Sequence, residues 1–80
     1  MRVLRDLSGA DLVKRLGRME YKVTRQTGSH LRLTSHVGGE HHVTIPNHDP
    51  LRVGTLAAIL AAVAAHHGLT RDELIQRLFD

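Results

Sequence analysis

Between Tyr21 and Ile45 the apolar residues of this chain fall on alternate positions, and on both sides of that stretch they return at helical intervals. This change of period constrains the fold most, because a spacing near 3.6 residues lines one side of a helix whereas a spacing of two lines one face of a sheet. Tyr21, Val23 and Arg25 point one way and Lys22, Thr24 and Gln26 the other; after Thr27-Gly28-Ser29, Leu31 and Leu33 oppose His30, Arg32, Thr34 and His36. Beyond Val37-Gly38-Gly39 the segment 40–45 alternates again, with Val43 and Ile45 inward and His42 and Thr44 outward. The pattern predicts a three-stranded antiparallel meander with one apolar and one polar face.

The flanking segments carry helix signals. Ser8 and Asp11 are spaced as a capping box, Leu7 and Leu12 as a hydrophobic staple, and Leu12, Val13 and Leu16 share a face, which predicts a helix over about residues 9–18. Pro46 ends the third strand and 47–50 reads as a loop. Gly54-Thr55 then leads into Leu56, Ile59, Leu60 and Val63, an i, i+3, i+4, i+7 stripe that stops at His66-His67-Gly68, with Gly68 placed as a left-handed terminator. Thr70 and Glu73 form a second capping box, and Leu74, Ile75, Leu78 and Phe79 continue an apolar stripe. Helix, three strands, helix, helix is the order of an α+β two-layer domain. In element order it resembles a double-stranded-RNA-binding fold, with a C-terminal helix added.

Eighty residues suffice for one core, since a chain near this size buries only about 60% of its unfolded surface, so residues 1–80 are expected to be a single domain. With no cysteine there is neither a disulfide framework nor a thiolate metal cluster, which is compatible with a reducing cytoplasm. Charged residues near the N-terminus argue against a secretory signal, and the apolar run 56–65 falls well short of the roughly 20 residues that span a bilayer. A cytoplasmic protein without a membrane partner is expected. The formal charge of +3 is uneven: residues 1–36 hold eight basic and three acidic side chains, residues 37–80 three and five. That asymmetry suits a polyanionic partner for the first half, although the same charges also serve simply to keep a small domain in solution.

His30 is the sharpest candidate for chemistry. An imidazole with an ordinary pKa near 6.5 can take a proton from a ribose 2′-hydroxyl at neutral pH, and Arg32, two residues along the same face, can hold a phosphate oxygen and stabilise the charge of a phosphorane. Lys22 or Arg25 on the neighbouring strand would add positive charge. Ser29 can donate a hydrogen bond to the phosphate, and Gly28 lets the backbone come close to it. A polar strand histidine without a chemical role is the plain alternative. Seven histidines also raise the question of metal, with His30, His36 and His42 on one face and His41 and His48 nearby. Their spacing matches no compact ligand motif, and no metal or other cofactor is expected. His66-His67 has a sufficient account as cations at a helix C-terminus. A phosphate-binding loop, a nucleophile elbow and a carboxylate pair are absent, and with so few aromatic residues any nucleic-acid contact should be to backbone and shape.

Taken together, Leu7-Ser8-Gly9, Gly28-Ser29-His30, Val43-Thr44-Ile45-Pro46-Asn47-His48, Gly54-Thr55-Leu56 with Ile59-Leu60, and Gly68-Leu69-Thr70-Arg71-Asp72-Glu73-Leu74 resemble, in order and over nearly the whole chain, the HicA family of toxin ribonucleases. The resemblance implies a double-stranded-RNA-binding-like domain that cleaves messenger RNA without a metal, with His30 as the essential residue. It also implies a HicB-like antitoxin that binds and blocks the toxin; the free toxin is expected to be a monomer. Two departures stand out: Glu20 occupies a position where many relatives have glycine before an aromatic, and the helix from Thr70 extends beyond the minimal family length. The spacing of Leu74, Leu78 and Phe79 predicts a packing role for that extension. A module of the same fold that binds RNA or protein without chemistry is the alternative function.

Overall fold

A computed structural model describes residues 6–80. Helix α1 (Gly9–Leu16) runs into a 3-10 turn (Gly17–Met19), followed by β1 (Lys22–Thr27), β2 (His30–Ser35), β3 (His41–Pro46), α2 (Val53–His67) and α3 (Arg71–Phe79). The strands form one antiparallel sheet in the order β1-β2-β3. This is the α+β arrangement with an open three-stranded sheet, consistent with a double-stranded-RNA-binding-like fold.

Both capping boxes form. The Ser8 hydroxyl accepts from the Asp11 amide at 3.0 Å, and the Thr70 hydroxyl accepts from the Glu73 amide at 3.1 Å. Gly68 ends α2 with φ 66°, where a side chain would be strained. Helix α1 is shorter than its spacing predicts, because the last turn tightens from α to 3-10 at Gly17. In contrast, α2 begins at Val53, ahead of the Gly54-Thr55 start expected from the sequence. No single helix among the described residues is long and apolar enough to cross a membrane.

The inner face of the sheet, with Leu33 and Ile45 fully buried, packs in one cluster with Leu12 and Leu16 of α1 and Leu56, Leu60 and Val63 of α2. Leu74 and Leu78 of α3 are also fully buried, so the C-terminal extension packs into the core as its spacing predicts. Gly9 makes the closest backbone approach: a Cβ there would stand 2.2 Å from the Pro46 carbonyl oxygen. Without one, the Gly9 amide donates to the His48 carbonyl at 2.8 Å, and the Asn47 amide donates to the Ser29 carbonyl at 2.6 Å. The start of α1, the loop after β3 and the β1–β2 turn are thereby tied together.

Candidate active site on the open sheet face

The turn that carries the Gly28-Ser29-His30 motif is a two-residue hairpin between the paired residues Thr27 and His30, with Gly28 at φ 55°, the position where such turns favour glycine. His30 opens β2, is exposed, and lies opposite Thr27 on one side and Pro46 on the other. Arg32 lies two residues along, between Arg25 of β1 and Thr44 of β3. Arg25, Thr27, His30, Arg32 and Thr44 line a shallow groove of about 220 Å³.

Arg25 reaches this groove by a route that strict alternation does not give. The register slips between Val23 and Arg25, so Thr24 is an extra residue, and Thr24 and Arg25 both face the open side. Thr24 Oγ1 lies 2.8 Å from Thr34 Oγ1, while Val23, opposite Leu33, is left 46% exposed beyond the cover of the helices. Placing Arg25 beside Tyr21 and Val23 is therefore corrected by one bulge.

Two guanidinium groups on directly opposed residues repel, at a cost of a few tenths to about 1 kcal/mol. Among the described residues neither Arg25 nor Arg32 has a carboxylate partner within 4.0 Å. An unneutralised cationic pair in a groove beside an imidazole is suited to a bound anion. Lys22 is not brought to it: it pairs with Thr34 and borders a different concavity with Glu20 and Val37. Gly28 and Ser29 form the turn itself, and the Ser29 carbonyl is occupied by Asn47.

The expected outward row His30, Arg32, Thr34, His36 also changes in character. Thr34 is only 6% exposed because Thr24 and His42 cover it. His42 is held at both nitrogens, Nδ1 lying 2.7 Å from Thr34 Oγ1 and Nε2 lying 2.8 Å from Glu40 Oε2. His30 stands apart from His36 and His42, and among the described residues no three His, Asp or Glu side chains converge as a metal-ligand set.

The sequence gives no hint of a second histidine cluster at the far end of the sheet. The Tyr21 hydroxyl lies 2.7 Å from His41 Nδ1 and 3.1 Å from His67 Nε2, and His41 stacks on His66 with ring centroids 4.4 Å apart. His66 Nε2 donates to the Val37 and Gly39 carbonyls. Burial pushes the Tyr21 hydroxyl up to about 12, and burial, followed by repulsion from neighbouring His66, holds His41 and His67 below the ordinary imidazole range. His66 and His67 thus fasten α2 to β3, a role that chain position at a helix end did not reveal.

A larger concavity, about 550 Å³, lies instead between α1 and the end of α3, lined by Asp6, Asp11, Lys14, Arg15, Arg18 and Phe79 among others. Its guanidinium groups are already engaged: Arg15 donates to the Leu78 carbonyl and lies over the Phe79 ring, and Arg18 donates to the Arg77 and Asp80 carbonyls. That cleft closes the C-terminal end of α3; its carboxylates are Asp6 and Asp11, the latter accepting from the Ser8 amide in the capping box, and no histidine lines it. The sheet face is the better candidate.

Among known proteins, a family model described as the HicA toxin of bacterial toxin–antitoxin systems matches residues 9–64. No curated protein and no solved structure matches the chain.

Proposed function

This chain belongs to the HicA family, which makes it the toxin half of a toxin–antitoxin pair, and from that membership we propose that it is an endoribonuclease that cleaves messenger RNA in the cytoplasm without a metal. The observation that carries the reading is the groove in which an exposed His30 shares its walls with the facing pair Arg25 and Arg32.

RNA supplies its own nucleophile. His30 accepts the proton of a ribose 2′-hydroxyl, the oxygen attacks the adjacent phosphorus, and the bond to the 5′-oxygen of the next nucleotide breaks; that oxygen takes a proton from solvent and His30 later returns its own to solvent, leaving a 2′,3′-cyclic phosphate and a 5′-hydroxyl. Arg25 and Arg32 hold the non-bridging oxygens and stabilise the extra negative charge of the phosphorane, the role a metal ion would otherwise take. Thr27 and Thr44 are neutral hydrogen-bonding groups at the groove wall. Lys22 lies outside the groove and adds only to the wider electrostatic field. A HicB-like antitoxin would act by covering this face, and we take the free toxin to act as a monomer.

His30→Ala is the direct test. The side chain is exposed, so the variant should keep the wild-type circular dichroism spectrum and unfolding midpoint while cleavage of a long RNA in the presence of a chelator falls by at least about 100-fold, the contribution of one general base. Unchanged cleavage by the folded variant would refute the assignment. A band shift with intact RNA from the wild-type protein would favour a binding module.

A further inference from the structure

Arg25 and Arg32 border two concavities. Beyond the His30 groove they also line a second one, of about 410 Å³, whose further walls include Thr34, His36, Glu40 and His42. It is continuous with the first on the open face, and it contains a carboxylate. Thr34 lies four residues from His30 on β2, about 13 Å at the usual rise of a strand. A strand of RNA whose scissile phosphate rests between His30 and the two arginines would therefore place a neighbouring nucleotide, rather than the one being cut, over this second concavity.

Glu40 is out of place in a phosphate site. Its charge repels the backbone, so its value to a nucleic acid is to accept hydrogen bonds from a base. The side chain is oriented for that use. A carboxylate only accepts, so His42 Nε2 donates to Oε2; His42 Nδ1 in turn is hydrogen-bonded to the Thr34 hydroxyl, and that hydroxyl to Thr24. This chain of three hydrogen bonds anchors one carboxylate oxygen to the sheet. Among the described residues the other oxygen, Oε1, makes no hydrogen bond, and His36 Nδ1 lies 3.9 Å from it. The Glu40 side chain is 61% exposed and that of His36 77% exposed, leaving an acceptor and a flat ring face together in solvent.

We propose that Glu40 reads a base adjacent to the cleavage position and selects guanine, with His36 as the surface on which that base stacks. Guanine offers two neighbouring donors, N1–H and the N2 amino group, to a carboxylate. Adenine and cytosine set an acceptor beside their amino group, and uracil flanks its single donor with two carbonyls, so each of those three brings an oxygen or nitrogen lone pair against Glu40. The inference rests on the ribonuclease reading above and adds specificity to it.

The test is cleavage of a purified RNA pool with a randomised segment by the full-length protein, with both ends of each cut identified by sequencing. Wild type should show guanine enriched at least about fivefold at one fixed offset from the cut, the low end of a good side-chain–base pair. Glu40→Gln, which presents a donor and an acceptor, and Glu40→Ala should both lose the enrichment while still cutting. Cleavage with no guanine preference at any offset, or a preference that survives Glu40→Gln, overturns the proposal and leaves the nuclease standing. Absence of cleavage by wild type overturns both.

Discussion

At position 20 the chain passes from the 3-10 turn into β1 through a glutamate at φ 62°, ψ 32°. A left-handed backbone costs a residue with a Cβ about 1–2 kcal/mol, which gives a physical reason for the glycine implied there by the family resemblance. Glu20→Gly should raise stability by about 0.5–1 kcal/mol, part of the gain being offset by the greater freedom of glycine in the unfolded chain. Urea unfolding checks it, and a lowered midpoint would show that the glutamate side chain contributes more than its backbone strain. Residue-level chemistry was otherwise legible where a side chain acts through its own type and neighbours. His30 and Arg32 are nameable from two-residue spacing on an outward strand face, and the structure puts both at one groove. Alternation set Lys22 and Arg25 on opposite faces, with Lys22 outward, and only the slipped register brings Arg25 rather than Lys22 to the groove. Glu40 escaped notice for a related reason: it precedes the strand, and its partners His42 and Thr34 belong to two strands.

At the scale of elements, the start of α1 supports the turn that carries Gly28-Ser29-His30. Gly9 allows the helix to touch the end of β3, and the bonds from Gly9 to His48 and from Asn47 to Ser29 carry that contact through to the turn before His30. Gly9→Ala forces a methyl group against the Pro46 carbonyl and should destabilise the protein by about 1–3 kcal/mol, the usual range for overpacking. Thermal unfolding reads the loss, and cleavage measured well below the new midpoint should also fall because the His30 turn loses its anchor. An unaltered midpoint would mean that α1 can shift away without penalty. The capped ends of α1 and α3 were legible because a capping box is a local hydrogen-bonding pattern. The β1 bulge was not, since an extra residue shows only against its partner strand.

For the molecule as a whole, Tyr21, His41, His66 and His67 close the end of the domain opposite His30, joining β3 to the C-terminus of α2. His41 and His67 are held below the imidazole range, so near and below about pH 6.5 the unfolded chain binds protons more readily than the folded one. Their stabilising contribution is complete above that value and is lost as the pH falls from it through the lower folded values. The unfolding temperature should therefore drop between pH 7 and pH 5, and a His41→Gln, His67→Gln double variant, which cannot take up those protons, should show a flatter profile. A drop of equal size in the double variant would move the origin of the acid sensitivity elsewhere.

Alternation, capping boxes and the positions of glycine and proline determined the order of elements and which sheet face lies open, because each is a local preference repeated along one segment. The same signals placed His30 and Arg32 on that face. Tertiary structure alone decided that Arg25 joins them and Lys22 does not, that Glu40 is fixed by His42, and that four aromatic and imidazole side chains meet behind the sheet. Such groupings depend on strand register and on the docking of a helix end, which are settled by contacts between residues far apart in the chain.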